Sequence, residues 1–210
     1  MRAHRVPSVV IRRLAIYLRV LQEMDLEDDR FISSRELGER AGVTAAQVRK
    51  DLALFGEFGK QGVGYQAQNL LYELKGILNA DREIKVGIVG AGELGTAVSR
   101  YSIRRWNTEE DYGFRVVALF DNDPEKIGTD VEGIPIYDVR ELAARVKELG
   151  IQVMMVAVPA AAAQEVTNLC LEAGIKAILN FAPTKLEAPE DVRIHSTDVT
   201  LELQQLAYYL

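Results

Sequence analysis

The stretch Ile84-Lys85-Val86-Gly87-Ile88-Val89-Gly90-Ala91-Gly92-Glu93-Leu94-Gly95 decides the fold class of this chain. A β-rich run of six residues leads into a G-x-G-x-x-G pattern, and a sequence that suits a helix follows. Gly90 can make the tight turn, Gly92 lets backbone approach a pyrophosphate, and Gly95 allows close packing of helix on strand. A helix N-terminus also offers free amides to phosphates. The pattern predicts a dinucleotide site over residues 90–95.

A carboxylate at the end of the next strand refines this prediction. The strand predicted over residues 115–120 ends in Asp121, which would accept hydrogen bonds from the adenosine ribose and repel a 2'-phosphate. NAD is therefore favoured over NADP. Asp121 lies 31 residues after Gly90 rather than the usual 20 or so. We expect an extended crossover over residues 101–113, in which the charged residues around Glu109–Asp111 form a solvated insertion.

The remaining residues of this half alternate between helix and strand signals. Helices are predicted over 139–149 and 160–173, and strands over 151–158 and 175–181. This α/β alternation predicts a Rossmann-like, doubly wound parallel sheet, in which ligands bind outside the carboxyl ends of the strands. Two such ends carry Val158-Pro159 and Phe181 with its neighbours, where apolar contacts would hold a nicotinamide; simple strand termination is the alternative for the prolines.

The first half of the chain predicts a helix-turn-helix. After an amphipathic helix over Ser8–Met24, Ser33 and Glu36 have the spacing of a capping box. Thr44 and Gln47 repeat that spacing at the start of a second helix. Two short helices joined by a glycine turn form the unit whose second helix reads the major groove.

Several residues of this half are candidates for contact with DNA. The register turns Gln47, Arg49 and Lys50 away from the apolar face and leaves them free to meet a groove. Residues 56–65 contain four glycines and suit a hairpin that approaches phosphates. A helix-turn-helix with such a hairpin is a winged helix, although helix pairs with glycine turns also occur in protein-binding modules. The predicted DNA-binding residues are Gln47, Arg49, Lys50, Lys60, Gly62, Tyr65 and, on the basic side of the first helix, Arg12.

Composition places the chain among ordinary globular proteins. Its 210 residues are 48% hydrophobic and 27% charged, and no apolar run is long enough to cross a membrane. Cys170 is the only cysteine and lies on an apolar helix face, which favours a packing role and a reducing cytoplasm. Residues 1–80 carry twelve basic and ten acidic residues, whereas residues 81–210 carry thirteen and twenty-one. We predict domains over 1–80 and 81–196 and a helix over 197–210, with different partners for the two halves.

Catalysis and metal binding lack the residues that they need. The two histidines, His4 and His195, lie near the chain ends, and no ligand motif for a metal is present. We therefore predict no enzyme. Two alternatives remain: a small NAD-dependent oxidoreductase with a helical dimerisation domain, and a nucleotide- or CoA-binding regulatory module, against which Asp121 argues.

The chain ends in an amphipathic helix. Val199, Leu203, Leu206 and Leu210 recur at helical spacing without a following element to cover them. The helix could pack on its own domain or exchange with a second protomer, which would suit a DNA-binding protein that reads two half-sites.

The motifs, taken together and in order, resemble the Rex family of bacterial redox-sensing transcriptional repressors. The resemblance covers essentially the whole chain and rests on Val6-Pro7-Ser8, Tyr17-Leu18-Arg19, Val48-Arg49-Lys50-Asp51-Leu52, Phe55-Gly56, Gly62-Val63-Gly64-Tyr65, Gly90 to Gly95, Phe120-Asp121 and Lys176 to Pro183. It implies a homodimer that binds double-stranded operator DNA when NADH is scarce, is released by NADH, distinguishes NADH from NAD+, and controls respiratory and fermentative genes.

The resemblance also implies roles for single residues. Tyr101 matches a tyrosine near the nicotinamide, and Arg19 and Asp198 match a contact between subunits that changes with cofactor state. The C-terminal helix would be swapped between protomers. Two residues depart from the family pattern: Glu93 is acidic in the phosphate loop, and Gln61 replaces a basic residue in the wing.

Overall fold

The chain forms two compact units, residues 1–82 and 83–210, each with a buried apolar core. In this computed structural model the described residues are 6–24, 30–60, 62–109 and 112–210. Gln61, His4 and part of the Glu109–Asp111 segment lie outside them. The predicted fold class is confirmed, whereas the domain limits 1–80, 81–196 and 197–210 stay predictions.

In the described part of the first unit, the core is formed mainly by the helices α1 (Ser8–Gln22), α2 (Ser34–Ala41), α3 (Ala45–Leu52) and α4 (Ala67–Leu78). Their apolar faces meet in one cluster, because the apolar positions recur at helical spacing. The fully buried side chains include Leu14, Tyr17, Leu21, Leu37, Val48, Leu70 and Leu74.

The helix-turn-helix forms at the predicted residues. Gly42 ends α2 in the left-handed region, at a φ of 71°. The Ser33 hydroxyl accepts from the Glu36 amide at 3.0 Å, and the Thr44 hydroxyl accepts from the Gln47 amide at 3.2 Å. The other half of each predicted capping box is wrong. The Glu36 carboxylate instead lies near Arg30 and Arg40. The side-chain amide of Gln47 donates to the buried carboxylate of Asp51 in the same helix, which is described below.

A small antiparallel sheet completes this unit. It consists of β1 (Phe31–Ile32), β2 (Gly59–Lys60) and β3 (Gly64–Gln66), with β3 in the middle. The β2–β3 hairpin is the predicted wing. β1 was not predicted, because two residues are too few to show the alternation that indicates a strand. The unit is a winged helix.

The second unit contains a sheet whose strands alternate with helices along the chain. Its elements are β4 (Ile84–Val89), α5 (Glu93–Thr108), β5 (Phe114–Asp121), β6 (Asp130–Val131), β7 (Ile134–Asp138), α6 (Leu142–Leu149), β8 (Val153–Val156), α7 (Ala160–Glu172), β9 (Ala177–Asn180), β10 (Arg193–Ser196) and α8 (Val199–Ala207). Among the described residues the sheet order is β10-β9-β8-β4-β5-β7-β6, parallel except for β6.

The order of the strands fixes where a ligand can bind. The chain moves from β4 to β5 on one side, and later returns to place β8 on the other side of β4. The carboxyl ends of β4 and β8 therefore flank a topological switch point, which is where open α/β sheets bind ligands.

Several predicted boundaries in this unit are wrong. The expected insertion after residue 101 is helical as far as Thr108, so the long crossover is mostly a longer helix. At 16 residues this helix spans about 24 Å, which absorbs the extra spacing before Asp121. Strands β8 and β9 are shorter than predicted, and the predicted helix over 139–149 begins as a 3-10 turn. The edge strands β6 and β10, and β7 between β5 and β6, were not predicted.

Two further predictions concern burial. Cys170 is fully buried in the core, and burial raises the pKa of its thiol to about 12, so the predicted packing role is confirmed.

The apolar residues of α8 are exposed in the single chain. Exchange of α8 between protomers stays a prediction. No helix within the described part of the chain is long and apolar enough to cross a membrane.

Candidate functional site

Two of the three loop glycines are required by the protein's own packing. Gly90 has a φ of 101°, and a Cβ there would overlap the carbonyl oxygen of Ala157. A Cβ at Gly95 would overlap the carbonyl oxygen of Gly90. These two glycines therefore let β4, the loop and α5 approach one another closely, as the sequence predicted for Gly95.

Gly92 differs from both. A Cβ built on Gly92 meets no atom within 4 Å, so nothing in the protein requires a glycine there. The residue is the N-cap of α5 and lines both of the cavities described next. Its missing side chain leaves the α5 amides accessible from those cavities, which is the arrangement that a pyrophosphate needs.

The first cavity lies outside the carboxyl ends of β4, β5 and β8. It has a volume of about 460 Å³, which is in the range of small-molecule sites. Its walls are mostly apolar, with a few polar groups from Asp121, Asn122, Lys126 and Glu165. The lining residues are Val89, Gly90, Gly92, Asp121, Asn122, Lys126, Val139, Ala157, Val158, Pro159, Ala162, Glu165, Val166 and Leu169.

A second, more open cavity of about 580 Å³ follows the first turns of α5. It is lined by Ala91, Gly92, Glu93, Thr96, Ala97, Arg100 and Lys126. Glu93, the acidic departure in the phosphate loop, lines this second cavity and not the first. Two cationic residues, Arg100 and Lys126, line the same cavity as the Glu93 carboxylate.

Asp121 is 8% exposed and already has several donors. Its Oδ2 accepts from the Ala91 amide at 2.8 Å, and its Oδ1 accepts from the Asp123 amide at 2.9 Å. The Lys126 ammonium lies 3.4 Å from Oδ2. Burial alone would raise the pKa of Asp121, but these donors outweigh it and hold the pKa below its ordinary value. The group is an anion that joins the strand end to the glycine loop, and its bond to the ribose stays a prediction.

The structure separates the remaining predicted cofactor residues into two groups. Val158 and Pro159 line the first cavity, as expected for residues near a nicotinamide. Leu94, Tyr101 and Phe181 are not among the described residues that line either cavity. Tyr101 is 59% exposed on α5, where Arg105 donates to its hydroxyl at 3.3 Å. Contacts of Tyr101 and Phe181 with the nicotinamide stay predictions.

The second helix of the helix-turn-helix, α3, is the predicted reading helix, and a buried carboxylate joins it to α1. The sequence had not indicated this role for the carboxylate. Asp51 on α3 is 1% exposed and accepts two hydrogen bonds from Arg13 on α1. It also accepts from the Tyr17 hydroxyl at 2.8 Å and from the Gln47 amide at 2.7 Å. The side chain of Gln47 is therefore not free, as had been expected, because it helps to satisfy Asp51, and its contact with DNA stays a prediction.

Three of the other predicted DNA-binding side chains are more accessible. Arg12, Arg49 and Lys50 are exposed, and Arg49 donates to the Ser34 hydroxyl at the start of α2 at 2.9 Å. Gly62 has a φ of 83°, which suits the tip of the wing. Tyr65 is half-buried against the core of its unit. Lys60 belongs to β2, and the contacts of all these residues with DNA stay predictions.

The two predicted switch residues have local partners. Arg19 lies on the exposed side of α1 and donates to Glu23 at 2.8 Å. Asp198 is the N-cap of α8 and accepts from the Thr200 amide at 2.9 Å. An exposed pair four residues apart contributes little to stability, so Arg19 can exchange its partner at small cost. A contact between Arg19 and Asp198 of two subunits stays a prediction.

A wing and a reading helix in one unit, and a dinucleotide loop at the switch point of the other, define a DNA-binding regulator controlled by a nucleotide. Comparison with known proteins agrees. The family described as "CoA binding domain" matches residues 81–184, and the family described as "Putative DNA-binding protein N-terminus" matches residues 5–53. The redox-sensing transcriptional repressor Rex of Natranaerobius thermophilus is 47% identical over 97% of this chain and 90% of its own length. That of Brevibacillus brevis is 46% identical over 98% of this chain and 97% of its own.

Solved structures extend the agreement to the fold. The Rex-family repressor RSP, in complex with NAD+ and operator DNA, has a TM-score of 0.87 and 36% identity over 99% of this chain and 93% of its own. RSP in complex with NADH has a TM-score of 0.83 and 34% identity, covering 99% of this chain and 95% of its own. The chain belongs to the Rex family of redox-sensing transcriptional repressors.

Proposed function

We propose that this protein is a transcriptional repressor that binds operator DNA when NADH is scarce and releases it when NADH binds. The observation that carries the proposal is the open space at Gly92, between two cavities and over the N-terminus of α5. Protein packing does not explain that glycine, whereas a pyrophosphate on the helix N-terminus does. Relatives named as redox-sensing repressors support the same function.

The dinucleotide would lie across the switch point with its two halves in different surroundings. The amides of the loop and of α5 would bind the pyrophosphate, and Asp121 would accept from the adenosine ribose. The apolar wall that includes Val166 and Leu169 would contact the adenine. Val158, Pro159, Phe181 and Tyr101 would surround the nicotinamide, which is the only part that differs between NADH and NAD+. The oxidation state of the ligand would therefore be read at these residues.

DNA binding would use the reading helix and the wing. Arg49 and Lys50 lie on the exposed side of α3, where side chains can reach base edges and phosphates. The wing around Gly62 and the basic side of α1 at Arg12 would add phosphate contacts, which position the protein on DNA. The network around Asp51 would hold α3 at a fixed angle to α1 while these contacts form.

A homodimer would convert ligand binding into release from DNA. Two reading helices match two half-sites only at one separation, so a rotation between subunits changes the fit. The exposed apolar face of α8 supports a dimer, since a monomer rarely leaves so many apolar side chains of one helix in water. Exchange of α8 and a contact between Arg19 and the partner subunit's Asp198 belong to this proposal, as do a cytoplasmic location and control of respiratory and fermentative genes.

The alternatives are less well supported. The named relatives are transcriptional repressors, which are not enzymes, and this argues against an oxidoreductase. The matching family described as a CoA binding domain raises coenzyme A as a ligand for the same loop. Asp121 favours a dinucleotide, because an adenosine 3'-phosphate close to this carboxylate would be repelled.

The proposal is tested by fluorescence anisotropy with a labelled duplex that carries the operator of the solved RSP complex. We expect binding without ligand, release by micromolar NADH, weaker release by NAD+ and no release by coenzyme A. A duplex of scrambled sequence is the control for non-specific binding. Failure of NADH to release the protein from the operator would contradict the proposal, and release by coenzyme A would favour the alternative ligand.

A further inference from the structure

One charged side chain of the first cavity, that of Glu165, has no role in the function described so far. Glu165 lies on α7, directly before Val166 and one turn before Leu169, and all three residues line the cavity. Its side chain is exposed, and within the described part of the chain it takes part in no hydrogen bond or ion pair. The Glu165 carboxylate is therefore an acceptor that is available to a ligand in this cavity.

The charges of the first cavity restrict what can lie beside Glu165. Among the described residues that line it, the charged ones are Asp121, Lys126 and Glu165, so two carboxylates face one ammonium. The Lys126 ammonium also lies 3.5 Å from Asp123, which adds a third carboxylate. A phosphate beside Glu165 would be repelled, whereas a neutral group with N–H donors would be attracted.

The position of Glu165 selects one part of the dinucleotide. Asp121, the expected partner of the adenosine ribose, lines the same cavity, and the adenine is attached to that ribose. Val166 and Leu169 provide the apolar wall that is proposed for the adenine, and Glu165 shares a helix face with Leu169 because the two are four residues apart. Adenine is a neutral ring with an amino group on its edge, so it has the donor that Glu165 needs.

We infer that Glu165 is a specificity-determining residue, which accepts a hydrogen bond from the exocyclic amino group of adenine. An ionised carboxylate can only accept hydrogen bonds. Hypoxanthine and guanine carry a carbonyl oxygen where adenine carries this amino group, so two acceptors would face each other and the contact would be lost. The site therefore selects an adenine dinucleotide at its base as well as at its ribose. This inference rests on the proposed binding of a dinucleotide.

The test compares NADH with reduced nicotinamide hypoxanthine dinucleotide, which differs from NADH only in the purine base. The fluorescence of the reduced nicotinamide, which both ligands share, gives the two dissociation constants. We expect the wild type to bind NADH about tenfold more tightly than the hypoxanthine analogue, because the analogue leaves the charged acceptor without its donor. In Glu165→Gln the ratio should fall to about twofold or less, since an amide can donate as well as accept.

Glu165→Ala is the second variant, and it removes the acceptor without supplying a donor. It should weaken NADH binding by about fivefold and leave the binding of the analogue nearly unchanged. Glu172→Gln is the matched control, because Glu172 is exposed at the end of the same helix and lines neither cavity. It should keep the wild-type ratio, and thermal unfolding of each variant shows whether the fold is kept.

The outcomes separate the inference from the proposed function. A ratio near one in the wild type, or a ratio that both Glu165 variants leave unchanged, would overturn the inference. If Glu165→Ala weakened both ligands equally, the carboxylate would contact a part that they share, such as the carboxamide of the nicotinamide, and the inference would again be wrong. If the wild-type protein bound neither nucleotide, the proposed function itself would be wrong, which is a different result.

Discussion

The guanidinium of Arg13 donates to both carboxylate oxygens of Asp51, from Nε at 2.6 Å and from Nη2 at 2.7 Å. This pair joins α1 to the helix that is expected to read DNA. Asp51 is 1% exposed and Arg13 is 18% exposed, so removing the arginine leaves a buried anion whereas removing the aspartate leaves a cation that reaches water. The two halves of the pair are therefore unequal in their importance for stability.

Arg13→Met should destabilise the first unit by about 3 kcal/mol, because the buried Asp51 loses its counter-charge. Asp51→Leu should also destabilise this unit, because Arg13 can turn to solvent but the buried Tyr17 hydroxyl loses its acceptor. Hydrogen exchange resolved by peptides should show faster exchange in α1 and α3 and little change in β4 and α7. Arg35→Met, which breaks only the exposed pair with Glu39, is the control and should cost less than about 0.5 kcal/mol. Equal costs for Arg13→Met and Arg35→Met would contradict the role of the buried pair.

The same carboxylate should contribute to acid sensitivity. Burial would raise the pKa of Asp51, but hydrogen bonds from Arg13, Tyr17 and Gln47 outweigh it and lower the pKa below the ordinary value. A depressed pKa stabilises the fold above the unfolded value of about 3.9, and this contribution is lost as the pH falls through the folded value. Urea denaturation at pH 6 and pH 3 should therefore show a larger loss for the wild type than for Asp51→Asn. A loss of the same size in both proteins would exclude Asp51 as a contributor.

The glycine loop gives a prediction that separates ligand binding from folding. Gly92→Val should leave stability and DNA binding close to those of the wild type, since a Cβ there meets only open space, but it should prevent release by NADH. Gly95→Val should unfold the second unit, because its side chain would overlap the Gly90 carbonyl. The two variants are compared by thermal unfolding and by operator binding with and without NADH. Normal release of Gly92→Val by NADH would place the pyrophosphate elsewhere.

The loop shows what a sequence can reveal about such a site. Gly90, Gly92 and Gly95 have their roles within six residues of chain, so their spacing alone predicts the turn, the opening and the close packing. Asp121 is the last residue of β5, and the apolar residues that predict this strand directly precede it in the chain. The winged helix was predictable for the same reason, because its caps join residues three apart in the chain.

Features that depend on distant residues could not be predicted in this way. Gln47 has the spacing of a capping residue and of a groove reader, but its partner Asp51 is buried by Arg13 and Tyr17 from another helix. Lys126 looks like a solvated charge until the fold brings it against the α5 cavity. In both cases the charged residue is visible in the sequence, whereas the groups that lie against it in the fold are not.

The exposed side of α3 gives a prediction about specificity. Arg49→Ala and Lys50→Ala should weaken operator binding while leaving NADH binding unchanged. Loss of a base contact costs about 1–3 kcal/mol and lowers the ratio of specific to non-specific affinity, whereas loss of a phosphate contact reduces the salt slope by about one. Gln47→Ala should instead lower stability by about 1 kcal/mol through Asp51 and leave that ratio unchanged. If Gln47→Ala instead lowered the ratio of specific to non-specific affinity, Gln47 would contact bases in the groove.

The last prediction concerns the coupling between the two ligands. NADH can release the protein from DNA only if it binds the released state more tightly than the DNA-bound state. Operator DNA must then weaken NADH binding by the factor by which NADH weakens DNA binding, with a coupling of about 1–3 kcal/mol. NAD+ shares the loop and the Asp121 contacts, so it should compete with NADH while it shows a smaller coupling. Titrations of NADH with and without saturating operator duplex measure the coupling directly, and Gly92→Val is the control that should show no NADH binding in either. An NADH dissociation constant that is unchanged by operator DNA would mean that the nucleotide does not control repression and has a structural role instead.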